Sequence, residues 1–165
     1  MPDHTYSRRG STMMEFVMVA TPLLFVIISL LWTCIGMWEY HTVSEAVNST
    51  ARSASVHGAG CAGQTCATTV GSIAAMLAAR AIGIPASQLN VTLTSQASTV
   101  TCDPVSSCYS NSAAWPSLSG NTALTTQITI AATYQFSSGV SLVGYGTQRV
   151  GAMTLGAKAT EPVEY

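Results

Sequence analysis

Charge is what this 165-residue chain has least of: Asp, Glu, Lys and Arg together make up 8% of it, and the formal net charge is -1. A surface that grips nucleic acid or another polyanion needs clustered lysine and arginine. Beyond the first ten residues only Arg52, Arg80, Arg149 and Lys158 are basic, scattered against six acids, so no nucleic-acid partner is expected. Histidine is equally sparse. His4, His41 and His57 stand near no nucleophile motif and in no metal-like spacing, which leaves general acid–base chemistry without its usual carrier. Glu39 and Glu45 are six apart and do not share a helical face. Gly58-Ala59-Gly60 lacks the lysine and the strand context of a phosphate loop. The acceptor-like triplets Asn48-Ser49-Thr50 and Asn90-Val91-Thr92 are short enough to arise by chance. These absences exclude a recognisable enzyme, cofactor or metal protein.

Against that scarcity stands a long apolar run. Residues 16–38 carry no formal charge, and at about 1.5 Å of helical rise per residue they span roughly 34 Å, enough to cross a bilayer core. The run is opened by Arg8-Arg9-Gly10-Ser11-Thr12-Met13-Met14-Glu15-Phe16. Arg8 and Arg9 before it and Glu39 after it predict a cytoplasmic N-terminus and a periplasmic or external C-terminal part. Trp32, Trp38 and Tyr40 cluster near the outer boundary, at the level aromatic side chains favour. A cleaved secretory signal has a shorter apolar region of about 7 to 15 residues and a small-residue cleavage site after it; here Trp38-Glu39-Tyr40-His41 follows instead.

Glu15 sits at the other boundary, where an ionisable group is costly and calls for a partner. Were the chain cut between Gly10 and Ser11, a new α-amino group would stand four residues before Glu15, and one chain's amine could neutralise its neighbour's carboxylate. Type IV pilin-like subunits work in this way. Along Glu15-Phe16-Val17-Met18-Val19-Ala20-Thr21-Pro22-Leu23-Leu24 the chain further resembles the TadE-like family of minor pilins or pseudopilins of tight-adherence pili. The following stretch keeps the family's Ala51, Arg52 and Gly58 and lacks its second arginine. The resemblance implies a leader over residues 1–10, removed after Gly10 by a prepilin peptidase. It also implies a non-enzymatic role in priming or capping a pilus or in adhesion, without a cofactor. The partners it implies are the major pilin, other pseudopilins, the inner-membrane assembly platform and membrane lipid. Another reading of the same residues is a single-pass inner-membrane protein whose periplasmic domain binds a ligand or envelope component outside any filament.

The remaining pattern predicts an α+β domain over residues 58–165, preceded by one helix over residues 11–57. That helix holds the membrane segment and places Tyr40, Val43, Val47 and Ala51 at three- or four-residue spacing. Pro22 lies inside it and removes one backbone hydrogen bond, as a tolerated membrane proline or a bend for filament packing. Three glycines break the helix over residues 58–64, and from Ala67 to Ile82 the pattern Val70, Ile73, Ala74, Leu77, Ala78 and Ala81 marks a second, amphipathic helix ending at Gly83 and Pro85. Alternation predicts strands over residues 89–93 and 127–136 and a weaker one over residues 148–159, with a proline- and serine-rich loop over residues 102–120. Of five cysteines, Cys34 falls in the apolar run, and Cys61, Cys66, Cys102 and Cys108 fall in the external domain, an even number in an oxidising space. Local pairing, Cys61 with Cys66 and Cys102 with Cys108, is preferred, with long-range pairing left open. Structural zinc pairs have about two to four intervening residues, whereas these have four and five.

Overall fold

A computed structural model describes residues 11–57, 68–117, 126–136 and 153–163. Gly10, Cys61, Cys66, Arg149 and Glu164 lie outside them, as do the predicted glycine-rich break and the start of the last predicted strand. The chain divides into two compact units, Met1–Gly36 and Met37–Tyr165. Helix α1, Ser11–Val56, contributes to both. Its 46 residues contain Pro22 but no glycine before Gly36, and no further breaker follows that residue.

In the second unit, α1 buries Val43, Ala46, Val47, Thr50, Ala51 and Ala54. This stripe recurs every three or four residues, as one face of a helix must. The predicted stripe included Tyr40, but that side chain remains 43% exposed. Helix α2, Val70–Arg80, begins where Thr69 and Ser72 exchange hydrogen bonds: the Ser72 amide donates to the Thr69 hydroxyl at 3.1 Å and the Thr69 amide to the Ser72 hydroxyl at 2.9 Å. The two residues thereby satisfy amides that a helix start otherwise leaves without partners. The helix is shorter at both ends than its apolar pattern suggested, because this box sets its start and Gly83, at φ +89°, ends its neighbourhood.

Four antiparallel strands follow: β1 Leu89–Thr94, β2 Thr99–Cys102, β3 Gln127–Phe136 and β4 Met153–Pro162, in spatial order β2-β1-β3-β4. The fold is therefore α+β, with a short helix and an antiparallel sheet. Alternation decides the faces. Leu89, Val91 and Leu93 of β1 and Ile128, Ile130, Ala132, Tyr134 and Phe136 of β3 point into the core. Register places Thr99, Thr94, Thr129 and Thr160 side by side across the opposite face. Threonine suits this position because its β-branched side chain favours the pleated backbone while its hydroxyl stays solvated. β2 has no such apolar alternation and ends at Cys102, where the proline- and serine-rich loop begins.

Two polar contacts orient α1 on the sheet. Near its lower end in this unit Glu39 meets Tyr134 of β3, and near its upper end Arg52 Nε approaches Glu161 Oε1 of β4 at 3.9 Å. Glu161 is the register partner of Ile128. The helical rise from Glu39 to Arg52 is about 20 Å, and the strand path from Tyr134 back to Ile128 is also about 20 Å. Helix and strand thus run along each other in opposite directions.

Between β2 and β3, Cys102 and Cys108 are joined by a disulfide that closes a short loop containing a 3-10 turn, Val105–Cys108. The peptide bonds before Pro104 and Pro116 are cis. The backbone beyond this turn runs beside the start of α2: the Gly71 amide donates to the Asn111 carbonyl and the Val70 amide to the Ala113 carbonyl, both at 2.9 Å. Trp115, almost fully buried, is held by its amide donating to the Thr68 carbonyl at 3.0 Å and by the Thr68 hydroxyl donating to the Trp115 carbonyl at 2.6 Å.

Candidate assembly interface

The first unit is dominated by the apolar part of α1. An 18-residue window reaches a mean hydropathy of 2.3 with none of it buried within the protein. Phe16 is 73% exposed, and Leu23, Leu24, Phe25, Ile27 and Leu30 are exposed too. Burying a side chain of this kind is worth about 1.5 to 3 kcal/mol, so such a surface suits an apolar surrounding and is long and apolar enough to cross a membrane. The hydroxyls within the helix are turned back onto it. Thr21 donates to the Val17 carbonyl, Ser29 to the Val26 carbonyl and Thr33 to the Ser29 carbonyl, at 2.8, 2.9 and 2.8 Å. Polar groups satisfied in this way can enter a medium that offers no water.

Ser11 is the first residue of α1, and Glu15, one turn further on, is exposed. Four residues of helix bring two positions onto one face. A carboxylate at Glu15 and an amine at residue 11 would therefore lie on the same side of the helix end, offset by about one 5.4 Å turn. Pro22 leaves the Met18 carbonyl without an amide donor four residues on. Cys34 is a free thiol, exposed on the helix.

In the second unit Trp38 of α1 meets the turn after α2. Trp38 is 53% exposed, and the backbone of Gly83 lies against its indole: a Cβ on Gly83 would stand 2.9 Å from both Cη2 and Cζ3. On another side of α1 the Tyr134 hydroxyl hydrogen-bonds the Glu39 carboxylate, whose Oε2 is buried without a partner. Burial raises the Glu39 pKa above the usual carboxylate value, and the Tyr134 hydrogen bond offsets part of the rise. Burial also raises the Tyr134 pKa, reinforced by the negative charge of Glu39 and by the hydrogen bond to it. Neither contact was legible in the sequence, where Tyr134 marks only a strand position and Glu39 only a flanking charge.

Between α1 and α2 an open groove of about 540 Å³ is lined by Trp38, Thr42, Glu45, Arg80 and Ile82 among others. A second hollow of about 730 Å³ continues along α1 past His41, Asn48 and Arg52. Among the described residues that line these grooves, none forms a nucleophile–base hydrogen bond. Among the described residues no three His, Cys, Asp or Glu side chains group closely enough to hold a metal ion.

One long apolar helix leading into a small α+β domain fits a membrane anchor in a pilus protein. Residues 10–52 match the family model described as TadE-like protein, which is consistent with a TadE-like protein of the tight-adherence pilus. The match opens at Gly10, takes in Glu15 and the whole apolar run, and ends at Arg52, so the sheet and the disulfide loop lie beyond it. The family is structural and non-enzymatic. No match is found among curated proteins or among solved structures.

Proposed function

We propose that the chain is a minor pilin or pseudopilin of a tight-adherence pilus. It is made with a leader over residues 1–10, cleaved between Gly10 and Ser11 by a prepilin peptidase, and held in the inner membrane by residues 16–38 with its α+β domain on the periplasmic side. It carries out no catalysis. It joins, primes or caps the filament by packing its apolar helix among those of the major pilin and other pseudopilins at the inner-membrane platform. The observation that carries this reading is the family match from Gly10 through Glu15 along a helix whose most apolar window is not buried among the described residues.

The chemistry of assembly follows from Glu15. Moving a carboxylate or an ammonium alone into an apolar bundle costs several kcal/mol, and pairing the two offsets much of that. The Ser11 amine of one subunit set against Glu15 of the next would fix the axial register between helices while satisfying both charges. Replacing Glu15 by valine keeps the helix insertable and removes the pair, so the variant should accumulate in the membrane while recovery in assembled pili or pilin complexes falls. Normal incorporation of Glu15→Val would refute the pairing. Processing is tested by the N-terminal mass of the membrane-extracted chain, made in cells with their own assembly genes, with and without a bulky residue at Gly10. A mature chain starting at Ser11, uncut when Gly10 is replaced, supports the reading; an intact chain in both cases favours a plain membrane anchor.

A further inference from the structure

We propose that the turn between α2 and β1, together with Arg80, is a second membrane contact of the folded domain, seated in the headgroup layer of an anionic phospholipid leaflet. The inference rests on the reading of residues 16–38 as membrane-spanning. Depth is set by Trp38. The uncharged run ends there, and an indole at the end of such a run settles at the headgroup level. Gly83 is at the same depth because its backbone lies on that indole, closely enough that no side chain would fit between them.

The residues flanking Gly83 suit that layer. Ile84 is buried and anchors the turn in the domain, whereas Ile82 is 66% exposed and lines one groove with Trp38, itself 53% exposed. An isoleucine left in water at this position forgoes the transfer gain that partial immersion would return. Arg80 and Ile82 line the same groove as Trp38, and residues 81–88 carry no charge. Glu45 is the acid that faces this groove; Arg52 and His41 line its continuation, and Arg52 is turned toward Glu161. A guanidinium on a long aliphatic stem can bury its methylenes at the interface and hold its charge among lipid phosphates. The rim thus combines apolar surface, an interfacial aromatic and a cation, which is the complement of an anionic leaflet.

The test uses the full chain reconstituted in vesicles of phosphatidylethanolamine and phosphatidylglycerol in equal amounts. A photoreactive benzoylphenylalanine is placed in turn at Ile82, at Leu24 within the apolar run, and at Tyr109, which is 44% exposed beside the opposite end of α2. At 1.5 Å per residue α2 separates those ends by about 16 Å. Covalent lipid adducts read by mass spectrometry should form at positions 24 and 82 and be several-fold fewer at 109. Arg80→Gln should lower the yield at position 82 several-fold in these vesicles and leave it unchanged in pure phosphatidylcholine. Adducts at 24 with only the position-109 level at 82 would overturn the inference and leave the membrane reading standing. No adducts at 24 would overturn the membrane reading and this inference with it. An unchanged yield with Arg80→Gln would remove Arg80 from the contact.

Discussion

Gly71→Ala tests how α2 is held to the disulfide loop. A Cβ at Gly71 would stand 2.5 Å from the Tyr109 carbonyl oxygen, 2.9 Å from that of Asn111 and 3.1 Å from that of Cys108. All three are backbone atoms, so no side-chain rotation relieves the clash. The loop is restrained in turn, by the Asn111 amide donating to the Cys108 carbonyl at 2.9 Å and by the bond from Cys108 to Cys102. Either α2 or the loop must shift by a large fraction of an ångström. Overpacking of this kind costs about 1 to 3 kcal/mol, and the strained bonds from Val70 and Gly71 to the loop are worth about 1 kcal/mol each. Alanine returns about 1 kcal/mol through its better helix propensity. The net loss is about 2 to 4 kcal/mol, and at roughly 4 to 8 °C per kcal/mol for a small domain the melting temperature should fall by about 8 °C or more. Thermal unfolding of the detergent-solubilised chain, followed by near-ultraviolet circular dichroism, measures it. Gly156→Ala is the companion: its Cβ would meet Thr133 Cγ2 at 3.4 Å and the Ala132 carbonyl at 3.5 Å, ordinary contacts, so its effect should stay within about 0.5 kcal/mol. Equal melting of Gly71→Ala and wild type would refute the packing of α2 on residues 108–111.

Two further outcomes follow from the same domain. Replacing both Cys102 and Cys108 by serine opens a loop of sequence separation 6, for which loop closure predicts a loss of about 2 kcal/mol; hydrogen exchange over residues 105–115 should accelerate, and unchanged protection there would count against the disulfide as a restraint. Glu39→Gln bears on pH. Because burial holds the folded-state pKa of Glu39 above its ordinary 4.5, the folded chain binds this proton more tightly than the unfolded one. The associated stability is fully present below pH 4.5 and is lost as pH rises through the higher folded value. Glu39→Gln should therefore remove this part of the pH dependence and melt higher than wild type at neutral pH, and parallel melting profiles across that window would show that Glu39 is not buried against Tyr134.

Local and periodic features of the chain were readable without coordinates. The 46 residues of α1, the even-numbered apolar positions of β3 and the α+β class follow from helical and strand periodicity and from the length of an uncharged run, all properties of neighbouring residues. The core stripe of α1 was legible from Val43 to Ala51, but Tyr40 stays outside it, because spacing says which residues share a face and not where the sheet beneath them ends. β2 escaped notice since four residues without apolar alternation become a strand only when β1 offers its edge. The same limit applies to the interface. Glu15, Gly10 and the apolar run are a pattern of spacing and composition along one helix. That Gly83 touches Trp38, that Glu39 meets Tyr134 and that Gly71 abuts the disulfide loop depends on pairs separated by tens of residues. Those contacts were decided by tertiary packing, because only chain closure brings such pairs within van der Waals distance.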